Sequence, residues 1–261
     1  GVNHFPVVSQ LEIRGEDGFA IVAQMVEDLG GLEALRPDRR TDKAEVMSRR
    51  DFAERHLLAL TFLDRFGALP AAGDRHLAEF VPWALTESSG WGAAWGITLT
   101  PISQRQEHQK GYVADLDSVL SGTEDLHTWP SGELVAPVID SLLTGAPREL
   151  PLNRPNAGQS ADLPGEVVVE SICLVDGQGI RGRDEVHVPP ALAELLRRHA
   201  AVQELTVEAA MEGDRRLAGA AFLLDPLAGR GDLAATEEMV EELLAGTGKW
   251  LPQFAAGSDP V

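Results

Sequence analysis

Hydrophobic and polar positions change period several times along this chain. In HFPVVSQLEIRG an apolar opening leads into Leu11 and Ile13 alternating with Glu12 and Arg14, a spacing that predicts extended chain. GFAIVAQMVEDLGGL then predicts a short helix ending at Gly30-Gly31. After the charged link RPDRRTDKAE, the stretch SRRDFAERHLLALTFLDRFG carries Phe52, Leu57, Leu60, Leu63 and Phe66 at near-helical spacing, closed by Gly67. Pro70 to Trp95 shows no clean period. Beyond it ISQRQEHQKGYVADLDSVLSG predicts a polar helix, and SGELVAPVIDSLLTG a compact one despite Pro137.

The run PRELPLNRPNAGQSADLPG predicts a loop from its Pro, Asn and Gly content. It delivers the chain into EVVVESICLV, continuous and β-branched like a strand buried on both faces. The last third is helical. Pro189-Pro190 can open a helix, and Leu192, Leu195, Leu196, His199 and Val202 follow one stripe. DRRLAGAAFLLDP and LAATEEMVEELLAGTGKWLPQF complete a helical layer. No repeat or linker divides the chain, so residues 1–261 read as one domain of class α+β, helix-rich with small antiparallel sheets.

The chain's 261 residues suffice for a sizeable core, and its formal charge of −19 disfavours nucleic acid and anionic membrane surfaces as partners. A single cysteine, Cys173, excludes an intrachain disulfide and suits a reducing, cytoplasmic setting. No apolar run has the length of a membrane span.

Candidate chemistry is sparse. His4 beside Asn3 is either an incidental surface histidine or a metal ligand beside a polar substrate contact. GDRH, at 73–76, puts an acid, a guanidinium and an imidazole together: a surface ion pair, or a base beside a clamp for hydroxyls or a carboxylate. Trp91 and Trp95 read as core before they read as a sugar platform, and Tyr112 reads as structural. Cys173, set in an apolar strand, reads as a small hydrophobe rather than a nucleophile. Asn153 and Asn156 suit turns, or hydrogen bonds to hydroxyls. There is no nucleophile elbow, zinc-protease motif or Walker loop.

Taken in order, GVNHF, LPAAGDRHLAEFVP, PNAGQSADLPGEVVVESICLVDGQGI, AAVQELTVEAAMEGDRRLAGAAFLLDPL and KWLPQF resemble the C-terminal part of glycoside hydrolase family 4. The resemblance implies a domain like the C-terminal domain of lactate and malate dehydrogenases, completed by an N-terminal Rossmann half that this chain lacks. It implies NAD and a divalent metal, usually manganese, as cofactors, and a homo-oligomer. Such enzymes are the NAD-dependent exception to two-carboxylate glycoside hydrolysis. They oxidise carbon 3, remove the carbon 2 proton, expel the leaving group from carbon 1, add water and return the hydride.

Carried onto this chain, the resemblance makes His4 the metal ligand and Asn3 a substrate contact. Asp74 becomes the proton-abstracting base, with Arg75 and His76 touching substrate or tuning it. Asn153 and Asn156 fall in a loop near the site. The implied substrate is an unphosphorylated glucoside, galactoside or uronide. The competing reading is a non-catalytic oligomerisation or binding module on the same fold.

Overall fold

The computed structural model describes residues 4–36, 56–126, 128 and 131–254. Asn3 and Phe52 lie outside the described residues.

The first segment is pinned rather than frayed. Strand β1 (Val7–Val8) pairs antiparallel with β4 (Leu69–Pro70), and the Ala71 amide donates to the Pro6 carbonyl at 2.9 Å. Phe5 is fully buried against Phe62, Phe80 and His199. The predicted extended opening is thus interrupted. A second hairpin, β2 (Glu12–Ile13) with β3 (Glu16–Asp17), turns on Arg14 and Gly15, both at positive φ as a tight hairpin turn requires. Helix α1 (Gly18–Asp28) is capped by Asp17, whose side chain accepts from Phe19 N, and ends at Gly30-Gly31 as the sequence predicts. A single turn, α2 (Leu32–Leu35), follows.

Helix α3 (Leu57–Phe66) ends at left-handed Gly67, also as predicted. Its buried stripe runs through Leu57, Leu58, Ala59 and Phe62, not through Leu60 and Leu63, because it faces a core reached only by tertiary packing. That core joins α3 to Leu77, Phe80, Val81 and Ala84, to the 163–169 segment and to the following long helix. Residue His56 before α3 is left-handed and offers no side-chain cap. The cap comes from another segment. Asp74, in the one-turn helix α4 (Asp74–Leu77), accepts from Leu58 N at 2.9 Å and Ala59 N at 3.0 Å. These are the second and third amides of α3, the ones a helix leaves orphaned. Asp74 is only 2% exposed. Both carboxylate oxygens of Asp74 are thus engaged by the N-terminus of α3.

Helix α5 (Ile102–Leu120) forms where the polar helix was predicted, and α6 (Val135–Thr144) tolerates Pro137 in its first turn, where a missing N–H costs nothing. The predicted loop at 147–165 is half strand. Arg148–Pro155 forms β5 and pairs along its whole length with β6 (Val168–Asp176), which continues through a hairpin to β7 (Gly179–Gly182). Pro151 and Pro155 obscure this in the sequence, yet β5 lies at the sheet edge, where proline is tolerated. β6 itself is half-buried: Val169, Cys173 and Val175 face inward, while Val168 and Ile172 are exposed. The string Gly177-Gln178-Gly179-Ile180-Arg181-Gly182 has dinucleotide-fingerprint spacing but forms the β6–β7 turn and β7. No helix N-terminus follows it to hold a pyrophosphate.

Helices α7 (Pro190–Glu212), α8 (Arg215–Leu224) and α9 (Leu233–Thr247) make the final layer. Left-handed Gly213 is required between α7 and α8: a Cβ there would lie 2.2 Å from the Gln253 carbonyl oxygen. The α7 stripe is as predicted, and His199 on it is buried with its Nε2–H donating to the Phe80 carbonyl at 3.2 Å. Burial holds this imidazole below its ordinary pKa of 6.5, outweighing the raising effect of that hydrogen bond.

Two outcomes are expected. Asp74→Ala removes the acceptor of two orphan amides and should cost about 2 kcal/mol in urea denaturation. For His199 the unfolded chain takes up a proton that the folded one resists. Its share of stability is therefore intact above about pH 6.5 and lost as pH falls toward the depressed folded value. Melting temperatures across that range should flatten in His199→Gln, which keeps a donor but does not titrate.

Candidate functional site

The β1–β4 pairing sets two distant histidines side by side. Phe5 goes into the core, so the exposed His4 before it is held at the surface. β4 leads directly into α4, whose buried Asp74 and Leu77 leave His76 facing outward. The two imidazole rings lie 5.2 Å apart between centroids, tilted by 40°. His76 Nδ1 is also 3.8 Å from a carboxylate oxygen of exposed Glu79. Arg75, between Asp74 and His76, is half-buried and donates to the Thr100 hydroxyl. Thr100 was invisible as a site neighbour in sequence, since nothing in its surroundings marks it.

The two asparagines do other work. Asn156 is buried, its amide donating to the carbonyls of Ser160, Leu163 and Pro164 within 3.1 Å and its oxygen accepting from Ser160 N. It organises the loop entering β6, its polar atoms engaged by backbone. Asn153 lies on the exposed face of β5, opposite Glu170. Among the described residues, no hydrogen bond or ring contact joins either asparagine to His4, Arg75 or His76. Asp162 ties the same loop to the start of α7 by accepting from Val188 N, which, with the charge of His187, holds its carboxyl below the usual range.

Trp95 packs on the core beside Trp83, with the Arg36 guanidinium 5.2 Å from its ring, whereas Trp91 is exposed and so departs from the core reading. Tyr112 is exposed as well. Cys173 is fully buried, as a small hydrophobe should be.

Among the described residues no three His, Cys, Asp or Glu come together as a metal site. His4, His76 and Glu79 do not complete one, and the glycine string forms a hairpin. The described residues alone therefore do not supply a complete donor set for a divalent ion.

Residues 1–228 match the model of the family 4 glycosyl hydrolase C-terminal domain. An alpha-galacturonidase of Lachnoclostridium phytofermentans is 30% identical over 97% of this chain and 54% of its own length. One from Bacillus subtilis is 28% identical over 94% of the chain and 52% of its own length. The crystal structure of a putative glucosidase from Bacillus subtilis superposes with a TM-score of 0.77 at 27% identity, over 94% of this chain and 54% of that one. At 18% identity, a 6-phospho-alpha-glucosidase from gut microorganisms, solved with NAD and Mn2+, shares the fold with a TM-score of 0.63, over 97% of this chain and 55% of its own. The chain thus spans about half the length of the relatives it matches. With the match covering most of its length, the chain belongs to glycosyl hydrolase family 4, as the C-terminal domain of that family.

Proposed function

We propose that this chain is the substrate-facing half of an NAD- and divalent-metal-dependent α-glycosidase, acting on unphosphorylated glycosides and foremost on α-galacturonides. The observation that carries the reading is the pairing of His4 with His76 at the end of the segment that also holds Arg75. The names of the relatives support the uronide. His4 would supply one metal ligand, and the remaining donors and the nucleotide-binding residues would come from outside the described residues.

Within this chain, Arg75 is suited to a uronate. A guanidinium offers paired N–H donors to a carboxylate, and Thr100 fixes its direction. His76, with Glu79 beside it, presents an imidazole able to meet a sugar hydroxyl. Asp74 anchors the turn on which both stand, and it is the candidate for the proton-abstracting base.

A non-catalytic binding module is the second reading, favoured by the incomplete metal-donor set among the described residues. The full-length protein decides between them when assayed with NAD and manganese under reducing conditions on aryl α-glycosides and α-galacturonides. Deuterium from solvent at carbon 2 of the released sugar separates elimination from direct hydrolysis; absence of turnover on every substrate supports the module. Arg75→Ala should lower kcat/KM for the α-galacturonide by roughly 10–100-fold, the worth of a charged hydrogen-bonded pair, and leave neutral α-galactoside cleavage nearly unchanged. Equal losses on both substrates would remove the carboxylate role.

A further inference from the structure

One tryptophan stands where neither core packing nor backbone preference accounts for it. Trp91, in the 84–97 loop, has φ at 56°, in the left-handed region. Among the described residues four that are not glycine take positive φ. Arg14, His56 and Glu166 are polar; Trp91 alone is apolar. A bulky side chain in this region strains the backbone. Core packing does not offset the strain. Trp91 is 56% exposed and lies outside the core cluster, and its ring has no aromatic or cationic partner among the described residues.

The loop is built to hold this conformation. Ser89 Oγ accepts from Thr86 N at 3.0 Å and Gly92 N at 3.3 Å, and donates to the Ala84 carbonyl at 2.8 Å. The Trp91 amide itself donates to the Thr86 carbonyl at 2.8 Å. Gly92, at φ 102°, is pressed inward, where a Cβ would lie 3.0 Å from the Leu85 side chain and 3.1 Å from Ile97, both buried. Arg230 ties the base of the loop to the last helical layer by donating to the Leu85 carbonyl at 2.6 Å. Strain held by so fixed a frame points to use of the side chain, and a rigid frame lowers the cost of binding on it.

The surroundings of the ring select its ligand. Gly90 and Gly92 flank it without side chains, and Ser88 and Ser89 are small, so a single flat apolar face is left bare. One ring is far too small for a stable protein contact, which buries on the order of 1,200 Å² or more. It matches one face of a pyranose. Residues 84–97 contain no Lys, Arg or His, and their one charge, exposed Glu87, makes no ion pair among the described residues. A carboxylate there accepts from sugar hydroxyls and repels a uronate. A galacto-configured ring gathers the hydrogens of carbons 3, 4 and 5 on one side. That side suits the electron-rich face of an indole.

We propose that Trp91 is a stacking platform for a neutral galacto-configured pyranose, a carbohydrate contact that none of His4, Arg75 and His76 provides. The choice of a sugar rests on the glycosidase reading, and the test measures binding without turnover, so that the two can fail separately.

Saturation-transfer difference NMR of the full-length protein with methyl α-galactopyranoside tests it. In the wild type the hydrogens of carbons 3, 4 and 5 should take up the most saturation. Trp91→Leu keeps apolar bulk without a flat face and should weaken binding about tenfold. Trp91→Phe, with a smaller ring, should weaken it only about threefold. Melting temperatures of the two variants should agree, and the affinity for methyl α-galacturonide should be the same in the wild type and Trp91→Leu. No binding of methyl α-galactopyranoside, equal binding by the wild type and Trp91→Leu, or equal losses in the Leu and Phe variants would each overturn the proposal. Acrylamide quenching unchanged by Trp91→Leu would also overturn it, assigning the ring to a contact with another part of the molecule. Inactivity on every glycoside, with the difference between Leu and Phe intact, would support the platform while removing the glycosidase reading.

Discussion

The turn that carries Arg75 and His76 is anchored by one buried carboxylate. Asp74 closes the N-terminus of α3 from 15 and 16 residues away, supplying the acceptors that α3's own flanking residue does not. The positive end of a helix and two orphan amides are an environment in which an ionised carboxyl is stable inside a protein. Because Asp74 is locked inward, the remaining residues of its single turn take fixed directions. Leu77 enters the core, and His76 turns out to meet His4.

A second constraint works with it. Phe5 fills a fully enclosed place among Phe62, Phe80 and His199, so the segment that bears His4 is held by hydrophobic burial as well as by the β1–β4 ladder. Burial of one aromatic ring at the edge of a core is worth a few kcal/mol, enough to hold a short terminal segment against its conformational entropy. This is how a surface imidazole so early in the chain acquires a defined position. It is also why the neutral form of His199 matters: charging it would place a cation among these rings. The pairing of His4 with His76 thus rests in part on this packed cluster.

The two β-branched and helical surfaces that the core leaves uncovered behave differently. On the sheet, Pro151 and Pro155 deny the edge strand two donors, and exposed Glu149 adds charge there, both of which discourage further strand addition. On α5, apolar Ile102, Leu116 and Leu120 are left exposed. The fold therefore blunts the edge of the sheet and leaves this helix face open.

Local chemistry was readable wherever neighbours in sequence decide the outcome. Gly67 and Gly145 end helices because the chain must turn left-handed there, and the α7 stripe faces inward because its period matches a helix. The family resemblance lay in ordered blocks of the sequence itself. Strand β5 was hidden, since prolines and an asparagine look like loop until an edge position excuses them. The backbone partners of Asp74 and Asn156 were hidden for a related reason. The same carboxylate or amide can bind a ligand or satisfy the backbone, and the residue type is identical in both cases. Only the arrival of α3 over Asp74, and of three carbonyls around Asn156, decided it. What the sequence by itself determined is periodicity, termination and kinship. The assignment of each polar side chain to solvent, ligand or backbone was made by tertiary contacts, because hydrogen-bonding capacity is short-ranged and goes to whichever partner folding brings within reach.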